Sequence, residues 1–138
     1  MADVFSRRKR SQIMRAVRSQ DTKPEMVVRK LAWRLGARYR LHVRRLPGCP
    51  DLVFATQRKV IFVHGCFWHR HSCLDGRSMP ASHVNYWRQK FDRNRARDSK
   101  YRRQLCRMGW RVLTIWECQT RLPARLESRL KKFLDRLQ

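Results

Sequence analysis

Residues 50–64 read PDLVFATQRKVIFVH, and this stretch of the sequence decides the fold class. It contains two short β-rich runs, residues 52–55 and 60–63, which are joined by polar residues. Runs of aliphatic and aromatic residues on either side of a short polar connection are typical of a β-hairpin. We therefore expect two paired strands here, with Asp51 directly after a proline at the entrance of the first strand.

Upstream of the hairpin, a helix is predicted to begin near residue 22. Thr22 and Glu25 have the spacing of a capping box, in which two side chains satisfy free backbone amides of the first turn. Gly36 is expected to end this helix. The segment around Tyr39 and Leu41 reads as a half-exposed strand, and residues 46–50 read as a turn. The apolar stripe of the helix consists of Val27, Val28, Leu31 and Leu35.

Downstream, residues 65–81 look irregular, and Ser82 is placed to cap a long helix from about residue 83 to residue 108. Gly109 breaks that helix, residues 110–116 predict a further strand, and leucines at helical spacing predict a last helix. The order helix, three strands, helix, strand, helix predicts a mixed α/β sheet flanked by helices. We expect one domain, 1–138, whose residues 1–20 form a basic arm.

The charge of the chain indicates a polyanionic partner. It has 138 residues, with 34 Lys or Arg against 10 Asp or Glu, which gives a formal net charge of +24. Arginine recurs in every part of the chain, whereas a membrane-surface protein would concentrate its charge on one helix or tail. No apolar run approaches the roughly 18 residues of a membrane span, and no signal peptide is recognisable. We therefore expect a cytosolic nucleic-acid-binding protein without a membrane partner, whose cysteines stay reduced.

Residues 63–73, VHGCFWHRHSC, indicate a metal site. Three histidines and two cysteines fall within this segment, and thiolate and imidazole are the ligands that zinc prefers. Cys66, His71 and Cys73 can supply three of the four ligands of a structural zinc. The fourth is Cys118 or Cys106, and spacing alone does not choose between them.

Asp51 is a second candidate metal ligand. A carboxylate at the edge of a sheet beside a basic surface suits Mg²⁺, which takes one or two carboxylates and keeps several waters. The alternative is a turn aspartate that satisfies local backbone amides. His42 and His83 read as ordinary surface histidines, and Trp110 and Trp116 as residues of the sheet core.

Short motifs then occur in a consistent order: RS at 10–11, DTKPE at 21–25, PD at 50–51, HGCFWH at 64–69, GWRVL at 109–113 and WEC at 116–118. Together they resemble the very short patch repair (Vsr) mismatch endonucleases, and the similarity runs from about residue 3 to the C-terminus. The resemblance implies a restriction-endonuclease-like fold. It also implies an enzyme that nicks one DNA strand at the T of a T:G mismatch left by deamination of 5-methylcytosine.

The same resemblance implies roles for individual residues. Asp51 matches the Mg²⁺ ligand, assisted by the backbone carbonyl of Val63. His69 matches the general base, His64 its active-site partner, and Glu25 the acid that orients this pair, although Glu25 also reads as a helix cap. The zinc ligands that it implies are Cys66, His71, Cys73 and Cys118.

DNA contacts are implied as well. Phe67, Trp68 and Trp87 match an aromatic wedge inserted beside the mismatch, although Trp87 also lies on an apolar helix stripe. Met14 matches a residue that enters from the opposite groove. On the predicted helix, the side chains one and two turns beyond Trp87 either reach the mismatched pair or form a solvated face. These two residues are Lys90 and Asn94.

Two positions depart from the family pattern. Residue 63 is threonine in some members and Val63 here, a change that a carbonyl ligand survives. Residue 49 is often arginine and is Cys49 here, which removes one expected phosphate contact.

We thus expect a monomeric Mg²⁺-dependent endonuclease with a structural Zn²⁺. Its partners would be T:G-mismatched double-stranded DNA and, as candidates, mismatch-repair proteins. The first alternative is a zinc-stapled DNA-binding protein without catalysis, and Asp51 with His64 and His69 argues against it. The second alternative, a basic RNA-binding protein, leaves the Cys/His segment unexplained.

Overall fold

A computed structural model describes residues 21–67 and 69–135 of the chain. The predicted order of helix, three strands, helix, strand and helix is confirmed. The structure adds a one-turn helix and a 3₁₀ helix that the sequence pattern did not indicate. The predicted arm, residues 1–20, lies outside the described residues. The elements are α1 (Lys23–Arg34), β1 (Arg40–Leu41), β2 (Leu52–Phe54), β3 (Lys59–His64), α2 (Leu74–Arg77), α3 (Val84–Arg107), β4 (Arg111–Trp116), the 3₁₀ helix (Glu117–Arg121) and α4 (Pro123–Leu134).

The strands form one mixed sheet in the order β1-β2-β3-β4. The predicted hairpin is confirmed, because β2 pairs with β3 in antiparallel register with Leu52 opposite Ile61. Strand β4 pairs with β3 in parallel, with Val63 opposite Ile115. A parallel pair needs a long crossover connection, and α3 lies in that connection. The result is a mixed α/β fold whose central strands are buried.

Helices cover both faces of the sheet. Alternate residues of β2 and β3 point to opposite faces, so Leu52 and Ile61 join one cluster whereas Val53 and Val60 join another. On the first face, α1 and α4 contribute the buried residues Val28, Leu31, Leu126 and Leu130. On the second face, α3 contributes Leu105.

The first helix begins as the sequence predicts. The Thr22 side chain accepts a hydrogen bond from the Glu25 amide at 3.4 Å, and Gly36, with φ +88°, follows the end of the helix. The Glu25 carboxylate binds Arg29 and His42, so it is directed away from the capping box expected for it.

The long helix α3 differs from expectation at its start. Its N-cap is His83, in the left-handed conformation with φ 56° and no capping side-chain hydrogen bond. The expectation that Ser82 caps it is therefore corrected. Gly109, with φ +89°, ends it as predicted.

The turn before Asp51 packs closely on α3. A Cβ atom at Gly48 would lie 2.8 Å from the Tyr101 ring, so the side-chain-free residue allows this approach. This packing places the turn that precedes Asp51 next to α3. Among the described helices, none combines the length and the apolar character that crossing a membrane requires.

Candidate active site and metal cluster

The start of β2, the end of β3 and the middle of α3 enclose a cavity of about 960 Å³. It is lined by the five residues expected at an active site, Glu25, Asp51, Val63, His64 and His69. Asp98, which was not expected there, lines the same cavity. The cavity is therefore the candidate catalytic site.

Asp51 and Val63 are neighbours because of the hairpin register. The Asp51 Oδ2 atom accepts a hydrogen bond from the Val63 amide at 2.7 Å. Burial, assisted by the charge of Glu25, raises the pKa of Asp51 to about 6, although this hydrogen bond lowers it. The raised pKa means that too little positive charge lies near this carboxylate. The oxygen ligands at Asp51 therefore suit a divalent cation.

The His64 and His69 rings stack with centroids 3.8 Å apart and planes 7° apart. Burial, and then the charge of His69, lower the pKa of His64 to about 3. His64 is therefore neutral at physiological pH. Its Nδ1 atom is buried without a hydrogen-bond partner among the described residues.

Asp98 is the acid that contacts this histidine pair. Its Oδ2 atom lies 2.5 Å from His69 Nδ1. Because a carboxylate accepts hydrogen bonds, His69 Nδ1 carries the proton that Asp98 binds, and Nε2 is the ring nitrogen left to exchange a proton with a substrate. A sequence signal did exist: Asp92 and Asp98 are the two acidic residues of the otherwise basic α3.

Glu25 lies on the other side of Asp51. Its Oε2 atom is 2.7 Å from His42 Nε2, and it also pairs with Arg29. The expectation that Glu25 orients the histidine pair is corrected, since Asp98 holds that position. His42 is corrected as well: its side chain is 12% exposed and its Nε2 lies 3.9 Å from Asp51 Oδ1, so it is not an ordinary surface histidine.

The Cys/His segment forms a compact ligand cluster. Cys66, His71, Cys73 and Cys118 each place a ligand atom within 4.8 Å of the others. His71 Nδ1 lies 3.8 Å from Cys66 Sγ and 3.5 Å from Cys118 Sγ. A tetrahedral zinc with ordinary bond lengths separates S and N ligands by about 3.6 Å, so this cluster fits a metal ion. Cys106, the alternative fourth ligand, is exposed elsewhere on α3.

Gly76 keeps the cluster compact. A Cβ atom at this position would overlap the backbone carbonyl of His71. The backbone amide of Gly76 is also the largest influence that lowers the pKa of Cys73, to about 7. The one-turn helix α2 thus packs directly against the loop that carries His71.

Trp116 connects the metal cluster to the histidine pair. Its ring stacks on His71 with centroids 4.5 Å apart and meets His64 edge-on at 5.4 Å. Trp116 therefore contacts a residue of the Cys/His cluster and a residue of the catalytic cavity with the same ring.

The aromatic residues behind the cavity form a buried group. Phe67 meets Phe91 edge-on at 5.2 Å and Trp87 at 6.2 Å. Trp87 is 1% exposed, so the expectation that its ring faces DNA is corrected for this conformation. Packing on Phe67 gives it a supporting position instead.

The other five expected DNA contacts have mixed outcomes. Phe67 lines the cavity. Lys90 and Asn94 are half-buried on α3. Trp68 and Met14 lie outside the described residues.

Known proteins with similar sequences include DNA endonucleases and nicking enzymes. The family model of the DNA mismatch endonuclease Vsr matches residues 2–75. The chain is 46% identical over 135 residues to the type II nicking enzyme V.XorIIP of Xanthomonas oryzae, covering 98% of each chain. It is 38% identical to the type II nicking enzyme V.NmeAIP of Neisseria meningitidis, over 100% of this chain and 98% of the relative. It is 41% identical over 121 residues to the DNA mismatch endonuclease Vsr of Escherichia coli, covering 88% of this chain and 77% of the relative.

Proposed function

This chain belongs to the Vsr family of DNA mismatch endonucleases and is a DNA endonuclease, and we propose that it nicks one strand of duplex DNA at the T of a T:G mismatch. The observation that supports this best is the cavity in which Asp51 and Val63 face the stacked His64–His69 pair. A DNA-binding protein without catalysis has no need to bury these groups together.

Asp51 and the backbone carbonyl of Val63 would hold the catalytic Mg²⁺. When bound, the ion supplies neutralisation of negative charge on the phosphate. The raised pKa of Asp51 supports this role, because a nearby cation favours the charged form that burial disfavours.

His69 acts as the general base in this proposal. Asp98 orients the ring so that Nε2 can take a proton from the attacking water. The hydroxide oxygen bonds to phosphorus as the phosphorus–oxygen bond of the leaving group breaks, and the leaving oxygen takes up a proton. Asp98 then stabilises the charged imidazole, while neutral His64 stacks against it.

The Cys66, His71, Cys73 and Cys118 cluster would bind a structural Zn²⁺. All four protein ligands are supplied by this chain, which is typical of closed structural zinc sites. The ion would hold the loop that carries His69 against Trp116. Its contribution is thus to folding and to positioning.

Recognition of the mismatch is assigned to Phe67 and Trp68, with Trp87 as the support behind Phe67. Stacking on a base contributes roughly 1–3 kcal/mol per aromatic ring, which offsets an unstacking cost of a few kcal/mol. That balance favours a weakened T:G pair over a matched pair. Met14, Lys90 and Asn94 complete the proposed contacts.

Three broader expectations remain part of this proposal. The fold is of the restriction-endonuclease-like type. Residues 1–138 form one domain. The protein acts as a monomer, with mismatch-repair proteins as candidate partners. The mixed four-stranded sheet supports the first of these.

The proposal is tested with matched, T:G and other mismatched duplexes, incubated with the purified protein and Mg²⁺. We expect nicking of the T strand of T:G substrates alone. Equal nicking of matched DNA would contradict the assigned specificity. Phe67→Ala should lower the T:G preference while leaving metal content unchanged.

A further inference from the structure

Four arginines line the catalytic cavity: three lie on α3 (Arg95, Arg97 and Arg102), and Arg70 comes from a different part of the chain. Arg70 directly follows His69 in the loop after β3, and Arg95 lies on α3, three residues before Asp98. Neither has a role in the reaction proposed for this cavity. Their position beside the catalytic groups makes them candidates for contact with the substrate.

Two contacts hold Arg70 in place, and neither is to an acid. Its guanidinium Cζ lies 4.3 Å from the centroid of the Phe91 ring, and its Nη1 donates to the Ser78 carbonyl. Its backbone has φ 54°, a left-handed conformation that costs a non-glycine residue free energy and that clusters at functional sites. The aromatic ring and the loop thus fix the direction of this cation.

Arg95 brings a second positive charge close to the first. Burial, and then the charge of Arg95, lower the pKa of Arg70. Neither arginine forms an ion pair with any carboxylate whose side chain the structure describes. Asp98, one of the two acids three residues away from Arg95 on α3, is engaged by His69.

Two guanidinium groups that line one cavity destabilise the free protein, since like charges repel. An anion placed between them removes this cost. Arginine suits phosphate in particular, because its planar fork donates two parallel hydrogen bonds. The cavity in which they lie is the one that must receive the scissile phosphodiester.

We propose that Arg70 and Arg95 together bind one backbone phosphate, the neighbour of the scissile phosphate on the nicked strand. This inference rests on the proposed function, because it takes the cavity to be the site of strand cleavage. The pair would fix the register of that strand, so that the scissile phosphate meets Asp51 and His69. It would be a phosphate subsite that carries no base specificity of its own.

The test removes single charges from both partners. A set of T:G duplexes carries one neutral methylphosphonate at each of the phosphates around the nick, and binding is titrated in Ca²⁺ with wild type, Arg70→Gln and Arg95→Gln. Arg93→Gln is the matched control, because Arg93 is exposed on the same helix and does not line the cavity.

We expect neutralisation of one phosphate adjoining the nick to weaken wild-type binding about tenfold or more. Each cavity variant should bind the unmodified duplex about as weakly as the wild type binds the duplex with that phosphate neutralised. Neutralising the same phosphate should not weaken the binding of the variant any further. Arg93→Gln should keep the wild-type sensitivity. The log–log salt slope should fall by about 1 in each cavity variant.

If neutralising each phosphate weakens the binding of both variants as much as it weakens that of the wild type, the proposal is overturned. Arg95→Gln alone is sufficient to overturn it if Arg70→Gln disturbs the loop, because Arg95 is exposed. Nicking by the wild type tests the proposed function separately. If the wild type shows no T:G preference, the dependence of each variant on the neutralised phosphate is measured on matched duplex, where it still tests the phosphate subsite.

Discussion

His69 Nδ1 lies 2.5 Å from Asp98 Oδ2, so a loop histidine is oriented by an acid from the middle of the longest helix. The loop carrying His69 also contains His71, a member of the Cys/His cluster that could hold a metal ion. The position of the proposed base thus depends on both the ligand cluster and α3.

The first prediction concerns this pair. Asp98→Asn keeps the size of the side chain but no longer fixes the proton on His69 Nδ1. Nicking should fall by about 10–100-fold, the usual cost of losing such a supporting contact. Binding to the T:G duplex in Ca²⁺ should stay within a few-fold of wild type.

The control is Asp92→Asn, which removes the other acid of α3 at an exposed position. It should leave the nicking rate unchanged. Equal losses for both variants would mean that helix charge matters and that the Asp98 contact does not.

A second prediction concerns His42 and Glu25. Glu25 is 3% exposed, and His42→Ala removes one of its two described partners on Oε2. Leaving a buried carboxylate less satisfied should cost about 1–3 kcal/mol of unfolding free energy. His42→Gln, whose amide can still donate to Glu25, should recover most of the loss in denaturant unfolding. No recovery would show that the contact with Glu25 is unimportant.

A third prediction concerns the ligand cluster. Cys118→Ala should yield protein with less than one equivalent of zinc by elemental analysis and a markedly lower melting temperature, since structural zinc contributes folding free energy directly. Gly76→Ala should weaken zinc retention too, because its Cβ would displace the His71 backbone. Cys106→Ala is the matched control and should retain zinc. Wild-type zinc content in Cys118→Ala would remove Cys118 from the site.

A fourth prediction follows from the pKa of Asp51. Burial raises that pKa from 3.8 to about 6 in the folded protein, so the folded state binds the proton more tightly than the unfolded state between these values. The charged carboxylate therefore destabilises the fold above pH 6, by up to about 3 kcal/mol. Without added Mg²⁺, Asp51→Asn should melt at a higher temperature than wild type at neutral pH.

This difference should shrink as the pH falls through 6 and vanish near 3.8. Addition of Mg²⁺ should raise the melting temperature of the wild type and leave that of Asp51→Asn unchanged. A variant that is less stable than wild type at neutral pH would show that Asp51 is satisfied without a cation.

Much of the fold could be predicted from local pattern. The hairpin of β2 and β3 and the helices α1, α3 and α4 all follow from apolar runs, helical spacing and glycine breaks. The cap of α3 could not be predicted, since Ser82 and His83 both precede the helix. The choice of His83 depends on its left-handed backbone, which the sequence pattern does not report.

The site was predictable where its residues are close in sequence or belong to a recognised motif. His42 and Asp98 were missed because each depends on a contact between distant elements. His42 meets Glu25 across 17 residues, and Asp98 meets His69 across 29. Such contacts are set by the packing of α1 and α3 around the sheet, which no local spacing encodes.

The central claim is that the cavity around Asp51 and His69 is the site at which this protein cuts DNA. Its most direct test is a nicking time course on a strand-labelled T:G duplex with Mg²⁺, comparing wild type with Asp51→Asn. Wild type should nick the T strand, and Asp51→Asn should be slower by at least about 100-fold, because the bound metal supplies several kcal/mol of charge stabilisation. Zinc content and duplex binding in Ca²⁺ should persist in the variant. Nicking by Asp51→Asn at the wild-type rate would contradict the placement of the active site.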